Sequence, residues 1–445
     1  MAAPAGTRSE RLRALLDVLN TTSKVILEEW EKEDASPRPA GALPSRKAYD
    51  AERTIVGACG ALSALAQRPD LYLLTICGEF LESRALHVAV RHNIPEILAS
   101  SGKGMHIQDI GARTGISAAK LERIMRTLCS IHVFDEVHEH RYANNAITSE
   151  LVGNKGLCSL IGHFETEVYL AAEKLPDVLG NPEKSASTAI TQAAFPEYLG
   201  RPTSFWEWLE EPVTQPDGST KPNPSLEQFT SGMVGWGRTT AGPLYQEYPW
   251  AELGDATIVD VGGGEGGLCL DLSKLYPSLK FVVQDRAPVV AHADDFWEKE
   301  APEALDRVKF MAHDFFTENP VKSADVYVLR YIIHDWDDAR SLDILTSIRK
   351  SMSSNSRLLV ADHVINTTLG HPELASAPEP LPADYGSWSR FGHMLDLDMM
   401  ALINGIERTP AQFRDLASKA GLELMRIWEC RGHAQIVEMR LPVSA

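Results

Sequence analysis

The stretch TIVDVGGGEGG, residues 257–267, decides the fold. A β-rich run ends in six positions of which five are glycine, and a helix follows. Glycines there let the backbone turn sharply and let a ligand approach it closely. Working outward, the runs ATIVDVG, LKFVVQD, RVKFMAH, DVYVLRYII and SRLLVADHV alternate with helical stretches. That alternation predicts an α/β fold, a doubly wound, Rossmann-like sheet. The runs LELMRIWEC and AQIVEMRL are joined by a short turn at Arg431-Gly432. They predict a hairpin whose edge strand runs antiparallel.

The sheet occupies only the last part of 445 residues, so the chain divides into several pieces. Residues 1–70 read as an amphipathic arm and a Pro/Ala/Ser linker, ASPRPAGALPSR. The arm's stripe of Leu12, Leu15, Leu16, Leu19, Val25, Ile26 and Trp30 serves either as intramolecular core or as a dimer arm. Residues 71–150 carry helices over 85–99 and 107–131, the latter interrupted by a glycine turn, then two short β-like runs. This is a winged helix-turn-helix pattern. Residues 151–250 are helical and aromatic-rich, and TQPDGSTKPNPS (214–225) reads as a flexible loop. Residues 251–445 form the α/β domain.

Sixty-one acids face 43 bases, a formal charge of −18. Such a field repels phosphate backbones, so no nucleic-acid partner is expected despite the winged helix. No run of about 18 apolar residues marks a membrane span, and no signal peptide is evident. A cytoplasmic protein is the expectation. The six cysteines include no CxxC pair, which predicts buried free thiols rather than disulfides, and no metal site is expected. His138 and His140 in the wing read as solvated.

The glycine loop has company. Asp260 stands before it, Asp285 closes the next strand 23 residues beyond Gly262, and Asp314 follows in HDFF. An acid at the second position suits ribose hydroxyls. NAD fits the spacing, but GGGEGG departs from GxGxxG and Glu265 would face a pyrophosphate badly. An acidic rim suits a cofactor with a cationic centre and no phosphates. S-adenosyl-L-methionine, a sulfonium, is one.

VDVGGGEG, VVQDR, HDFF, LRYIIHDW and NGIERT together resemble the class I O-methyltransferases, of the fungal secondary-metabolite type and similar to plant caffeate and flavonoid enzymes. The resemblance covers roughly residues 75–440. It implies a winged-helix dimerisation domain before the methyltransferase domain, a homodimer, S-adenosyl-L-methionine and a small aromatic hydroxylated acceptor. Carried over residue by residue, it puts Asp260, Gly262 and Gly264 at the methionine and ribose, and Asp285 with Arg286 at the ribose diol. Asp314 and Phe315 would meet the adenine, and Arg330 would complete the pocket, where plant enzymes often carry lysine. Met233, Trp236, Met399 and Ile403 become acceptor-pocket candidates; Met and aromatic residues at helical spacing also suit plain core.

The resemblance makes His334, in VLRYIIHDWDD (328–338), the general base. A phenol has a pKa near 10 against about 6.5 for imidazole, a gap of about 3.5 units or about 4.8 kcal/mol for complete proton transfer. A carboxylate behind the ring narrows it. Asp362, where plant enzymes carry glutamate, and Glu407 are the two candidates. His363 should point to the opposite side of its strand, Asp335 should cap the following helix, and Trp336 should pack. The same fold also hosts enzymes that keep the cofactor and catalyse pericyclic or dehydration steps without moving a methyl. Attack by nitrogen or sulfur stays open beside oxygen.

Overall fold

The computed structural model describes residues 6–39, 41–291 and 293–442. They gather into two units. One contains the described part of Met1–Ala66, Ala186–Ala193 and Thr240 onward. The other contains Gln67–Ser185 and Ala194–Thr239.

The first unit is built on seven strands: β1 Thr257–Val261, β2 Lys280–Asp285, β3 Val308–Ala312, β4 Val326–Arg330, β5 Arg357–Asp362, β6 Glu423–Trp428 and β7 Gln435–Arg440. Their order across the sheet is β6-β7-β5-β4-β1-β2-β3. β1 to β5 pair in parallel and β7 runs antiparallel to both β5 and β6. The antiparallel strand is therefore one in from the edge, and the edge strand β6 follows the direction of β5. This corrects the expectation of an antiparallel edge. The burial pattern explains it. Ile436, Val437 and Met439 of β7 are fully buried and need neighbours on both sides, whereas β6 leaves Met425 half exposed, as an edge strand can.

The central strands are almost continuously apolar, as expected of strands covered on both faces. Ile258, Val283, Val328 and Leu359 face one apolar layer, and Val259, Val261, Leu329 and Val360 face the other. Each such side chain contributes about 1.5–3 kcal/mol when fully buried.

The arm forms two helices, α1 Arg8–Ala35 and α2 Arg46–Ala66, in this same unit. Thr7 and Glu10 form a capping box that starts α1. α2 packs closely: a Cβ on Gly57 would lie 2.4 Å from the Tyr385 carbonyl oxygen. The Arg53 guanidinium lies over the Tyr385 ring at 4.1 Å, and the Tyr49 and Trp388 rings meet edge-on at 5.6 Å. Leu15 and Ile26 of the stripe are buried, while Leu12, Leu16, Leu27 and Trp30 stay exposed.

In the second unit, helix Pro69–Arg91 precedes Ile94–Ala99, separated by Asn93 in the left-handed region (φ 54°). The 107–131 expectation resolves into Ile107–Thr114 and Ala118–Ser130, with Gly115 at φ 72° between them. Three short strands, Met105–His106, Asp135–His138 and Arg141–Ala143, complete the winged helix. The expected loop at 214–225 holds a minimal hairpin, Val213–Thr214 with Thr220–Lys221. His138 and His140 are exposed, as read, and His140 also bonds to Glu122. All six cysteines are unpaired, but only Cys269 and Cys430 are buried; Cys59 and Cys77 are exposed. No helix among the described residues is long and apolar enough to cross a membrane. Nor do those residues bring together three His, Cys, Asp or Glu able to hold a metal.

Candidate active site

β1 ends at Val261 and the glycine loop begins. The first two loop N–H groups, of Gly262 and Gly263, donate to the Gln284 carbonyl at 2.8 and 3.0 Å. Gln284 is itself buried and exchanges amide hydrogen bonds with Asn319 at 2.6 and 3.2 Å. The Trp297 indole N–H donates to the Glu265 carbonyl at 2.9 Å. The loop is thus held from below before helix α3, Gly267–Leu275, starts. Glycine is required at 262, where φ is 77° and a Cβ would stand 2.6 Å from Ile332 Cδ1. At Gly264, φ is 62° and the Cβ position is open space. The backbone there is bare toward whatever approaches.

Asp285 ends β2 beside that bare backbone. One carboxylate oxygen accepts from the Gly264 N–H at 2.9 Å and the other from the Arg286 N–H at 2.7 Å. Each retains a lone pair for a further donor. Asp314 is exposed and its Oδ1 accepts from the Phe316 N–H at 3.0 Å. Phe315 is half-buried against Phe316 and Trp336, and its Cδ1 is 3.7 Å from the Cβ position of Gly262. Gly262, Ile332 and Phe315 therefore converge.

Asp260 sits under the loop, 1% exposed. Its carboxylate is 2.6 Å from the Cβ position of Gly263 and accepts from the Cys269 thiol at 3.4 Å. Burial raises its pKa to about 6, opposed by the Arg330 charge. Arg330 ends β4 and its charge faces Asp260, Tyr245 and Cys269.

β4 ends at Arg330, not at His334. Tyr331 turns into the left-handed region (φ 54°) and a 3₁₀ turn, Ile333–Asp335, carries the histidine. The strand read from DVYVLRYII, which ran on to Ile333, stops three residues earlier. The turn is fixed by its neighbours: Tyr331 N–H still donates to the Ala361 carbonyl of β5, and the His334 carbonyl accepts from the Ile406 N–H at 2.8 Å. The His334 side chain keeps 13% of its surface exposed, with Nδ1 2.8 Å from Glu407 Oε1 and Nε2 3.4 Å from Asp335 Oδ1.

Asp362 ends β5, 1% exposed, and neither carboxylate oxygen is hydrogen-bonded among the described residues. Burial raises it to about 6 against the pull of His334. Asp335 rises to about 7, again through burial opposed by His334. Burial alone would push His334 down. The charges of Glu407 and Asp335, the Glu407 hydrogen bond and the Asp362 charge outweigh it and hold the imidazole up at about 10. Three acids thus surround one base.

Asp335 was expected to cap the next helix, α4 Asp338–Arg349. Asp337 does so instead, accepting from the Arg340 N–H at 2.9 Å. The 3₁₀ turn rotates Asp335 toward the imidazole; its adjacency to His334 was the available signal. Trp336 packs edge-on against Phe316 at 4.9 Å. His363 points away from Asp362 and contacts the His433 carbonyl at 2.5 Å.

Met399 and Ile403 lie on α5, Arg390–Ile403. Both stand 3.3 Å from the Cβ position of Gly405, which is also 2.5 Å from the His334 carbonyl. Ile403 is buried and Met399 half-buried. Met233 and Trp236 are half-buried on helix Pro224–Thr240 of the second unit. The four are not gathered within one unit.

Bare glycine backbone, a ribose-competent carboxylate and an aromatic wall fit an adenosyl group. A rim of acids fits a sulfonium better than a pyrophosphate. The comparisons agree. The O-methyltransferase domain family matches residues 227–423, and the O-methyltransferase dimerisation domain matches residues 74–154. The O-methyltransferase tpcA of Aspergillus fumigatus is 41% identical, over 96% of this chain and 95% of its own. The solved mitomycin 7-O-methyltransferase MmcR is 27% identical with a TM-score of 0.65, over 86% of this chain and all of its own. CalO1, a methyltransferase of calicheamicin biosynthesis solved in its SAH-bound form, is 25% identical with a TM-score of 0.65, over 84% of this chain and 98% of its own. The chain belongs to the O-methyltransferase family, with relatives in fungal secondary metabolism, and its cofactor is S-adenosyl-L-methionine.

Proposed function

We propose that the protein methylates a hydroxyl of a small aromatic, polyketide-like metabolite, as a homodimer, with His334 as general base. The observation that carries this is the 2.8 Å contact of His334 Nδ1 with buried Glu407. With Nδ1–H donated to Glu407, Nε2 is the ring position left to take a proton. Raising the imidazole to about 10 brings it level with a phenol, so the gap of about 4.8 kcal/mol for an unassisted imidazole closes almost completely. Matched pKa values favour proton transfer within a hydrogen bond.

In this reading Asp285 binds the ribose diol, with the Arg286 backbone holding it, and Phe315 lies beside the adenine with Asp314 at its rim. Gly262 and Gly264 leave room for the methionine. Asp260 and Arg330 form a charge-balanced floor beneath the loop. Met399 and Ile403 flank the His334 turn on the acceptor side, while Met233 and Trp236 are acceptor candidates by the family resemblance alone. When bound, S-adenosyl-L-methionine supplies the electrophilic methyl group; the chain orients the acceptor oxygen and removes its proton.

The pH–rate profile tests the base. Activity requires neutral imidazole, so a raised pKa moves the ascending limb of kcat/KM above the ordinary 6.5. Glu407→Gln removes the largest raising charge, and its limb is expected to move to lower pH as its maximal rate falls. The check uses hydroxynaphthalenes as acceptors. An ascending limb at the same pH in both proteins would remove His334 from the base role.

A further inference from the structure

His334 and Glu407 lie 73 residues apart in the chain, on segments joined by one backbone hydrogen bond, from Ile406 N–H to the His334 carbonyl at 2.8 Å, and otherwise through side chains. Their 2.8 Å separation needs something that registers one segment against the other. Arg408, the residue after Glu407, is 1% exposed. Its Nη1 donates to the Ile333 carbonyl at 2.9 Å and its Nη2 to the Trp336 carbonyl at 2.8 Å. These two carbonyls bracket the turn that carries His334 and Asp335. The same guanidinium donates to Asp338 Oδ1 through Nε at 3.1 Å and Nη2 at 2.9 Å, and to Ser341 Oγ at 3.2 Å. On the other side of Glu407, its backbone N–H donates to Asp396 Oδ1 of α5 at 2.8 Å. The Arg408 carbonyl accepts from the Ile365 N–H at 3.0 Å, tying the segment to the chain beyond β5.

We propose that Arg408 is a positioning residue for the reaction: its planar fork clamps the His334 turn to the Glu407 segment and thereby sets the imidazole–carboxylate contact. The proposal rests on the reading of His334 as base. A fork is needed because two carbonyls and a carboxylate lie in different directions from one point. A lysine carries the same charge but offers a compact ammonium that cannot span them. Arg408→Lys therefore removes geometry while keeping charge. That matters because the Arg408 charge also reaches Asp362.

The groups that face His334 are Glu407 at 2.8 Å, Asp335 at 3.4 Å, the Asp362 carboxylate, and the Tyr331 ring at 5.7 Å between centroids. Of these, Glu407 contributes most to its proton affinity. If the clamp loosens, that contact lengthens and the imidazole drifts toward its ordinary value.

The experiment is an NMR titration of the full chain labelled with ¹³C-histidine, the His334 signal being identified by its loss in His334→Ala. No acceptor is needed. In Arg408→Lys the midpoint is expected to fall by about one pH unit or more, and kcat on hydroxynaphthalenes to fall at least about tenfold with cofactor affinity unchanged. A wild-type midpoint and wild-type kcat per folded site, with only a lower melting temperature, would make Arg408 a stabilising residue and overturn the proposal. Asp338 is largely exposed, so Asp338→Ala loosens the guanidinium without opening the core. It serves if Arg408→Lys fails to fold; a smaller fall is expected, and an unchanged midpoint would overturn the proposal equally. Undiminished turnover in His334→Ala is a separate result, which would remove the base reading itself.

Discussion

His334→Ala is expected to lose about 10²-fold or more in turnover, within the about 10²–10⁴-fold range of general-base catalysis, while binding S-adenosyl-L-methionine as tightly as the wild type. The reason lies in where the ring sits. Its Nδ1 is spent on Glu407 and its Nε2 side faces Asp335, and none of its contacts reaches the glycine loop. The backbone of residue 334 keeps its own anchor, since its carbonyl accepts from Ile406 N–H whatever the side chain. Calorimetric titration with the cofactor and turnover on a hydroxynaphthalene acceptor check the two halves separately. A rate within a few-fold of wild type would eliminate the base. Lost cofactor binding would mean that the cluster of acids, deprived of its cation, disturbs the sheet end.

Asp362→Asn is expected to make the protein more stable and less active. The carboxylate is buried without a hydrogen-bond partner among the described residues, and burial outweighs the attraction of His334 and Arg408. A pKa raised from 3.8 to about 6 corresponds to about 3 kcal/mol against the ionised form. Stability from this group is complete below 3.8 and is lost as the pH rises through about 6. Asparagine keeps the shape and stays neutral, so its advantage should be largest near pH 8 and about half as large at pH 5. Melting curves at the two values test it. An advantage independent of pH would show that desolvation of the charge is not its source. A stabilised, slower variant is what a functional carboxylate held at a cost implies.

Much of this was legible in the sequence. The five parallel strands announced themselves as short apolar runs, because a strand buried on both faces has little freedom in composition. Asp285 and the glycines stood out by spacing, and the family resemblance offered Asp362 and Glu407 as partners of His334, of which the structure puts Glu407 in contact at 2.8 Å. The position of β7 was not legible, since a hairpin reads the same whichever of its strands joins the sheet. The strand limit at Arg330 was hidden too: Tyr331 and Ile332 are good β formers, and only the tertiary hold on the turn bends them away. Asp335 looked like a cap because Asp337 and Asp338 crowd the same helix start. Nothing in the sequence singled out Arg408 beside Glu407. Its role depends on a carbonyl pair about seventy residues away.

The most direct test of the central claim follows the methyl group. The full chain is incubated with S-adenosyl-L-methionine labelled with deuterium in its methyl group, and with a panel of hydroxylated naphthalenes and anthraquinones. The product masses and NMR spectra are then read. The account expects the labelled methyl on an aromatic oxygen, dependent on His334. An acceptor that rearranges or loses water with no label incorporated would contradict it, and would make the sulfonium a bound charge rather than a donor.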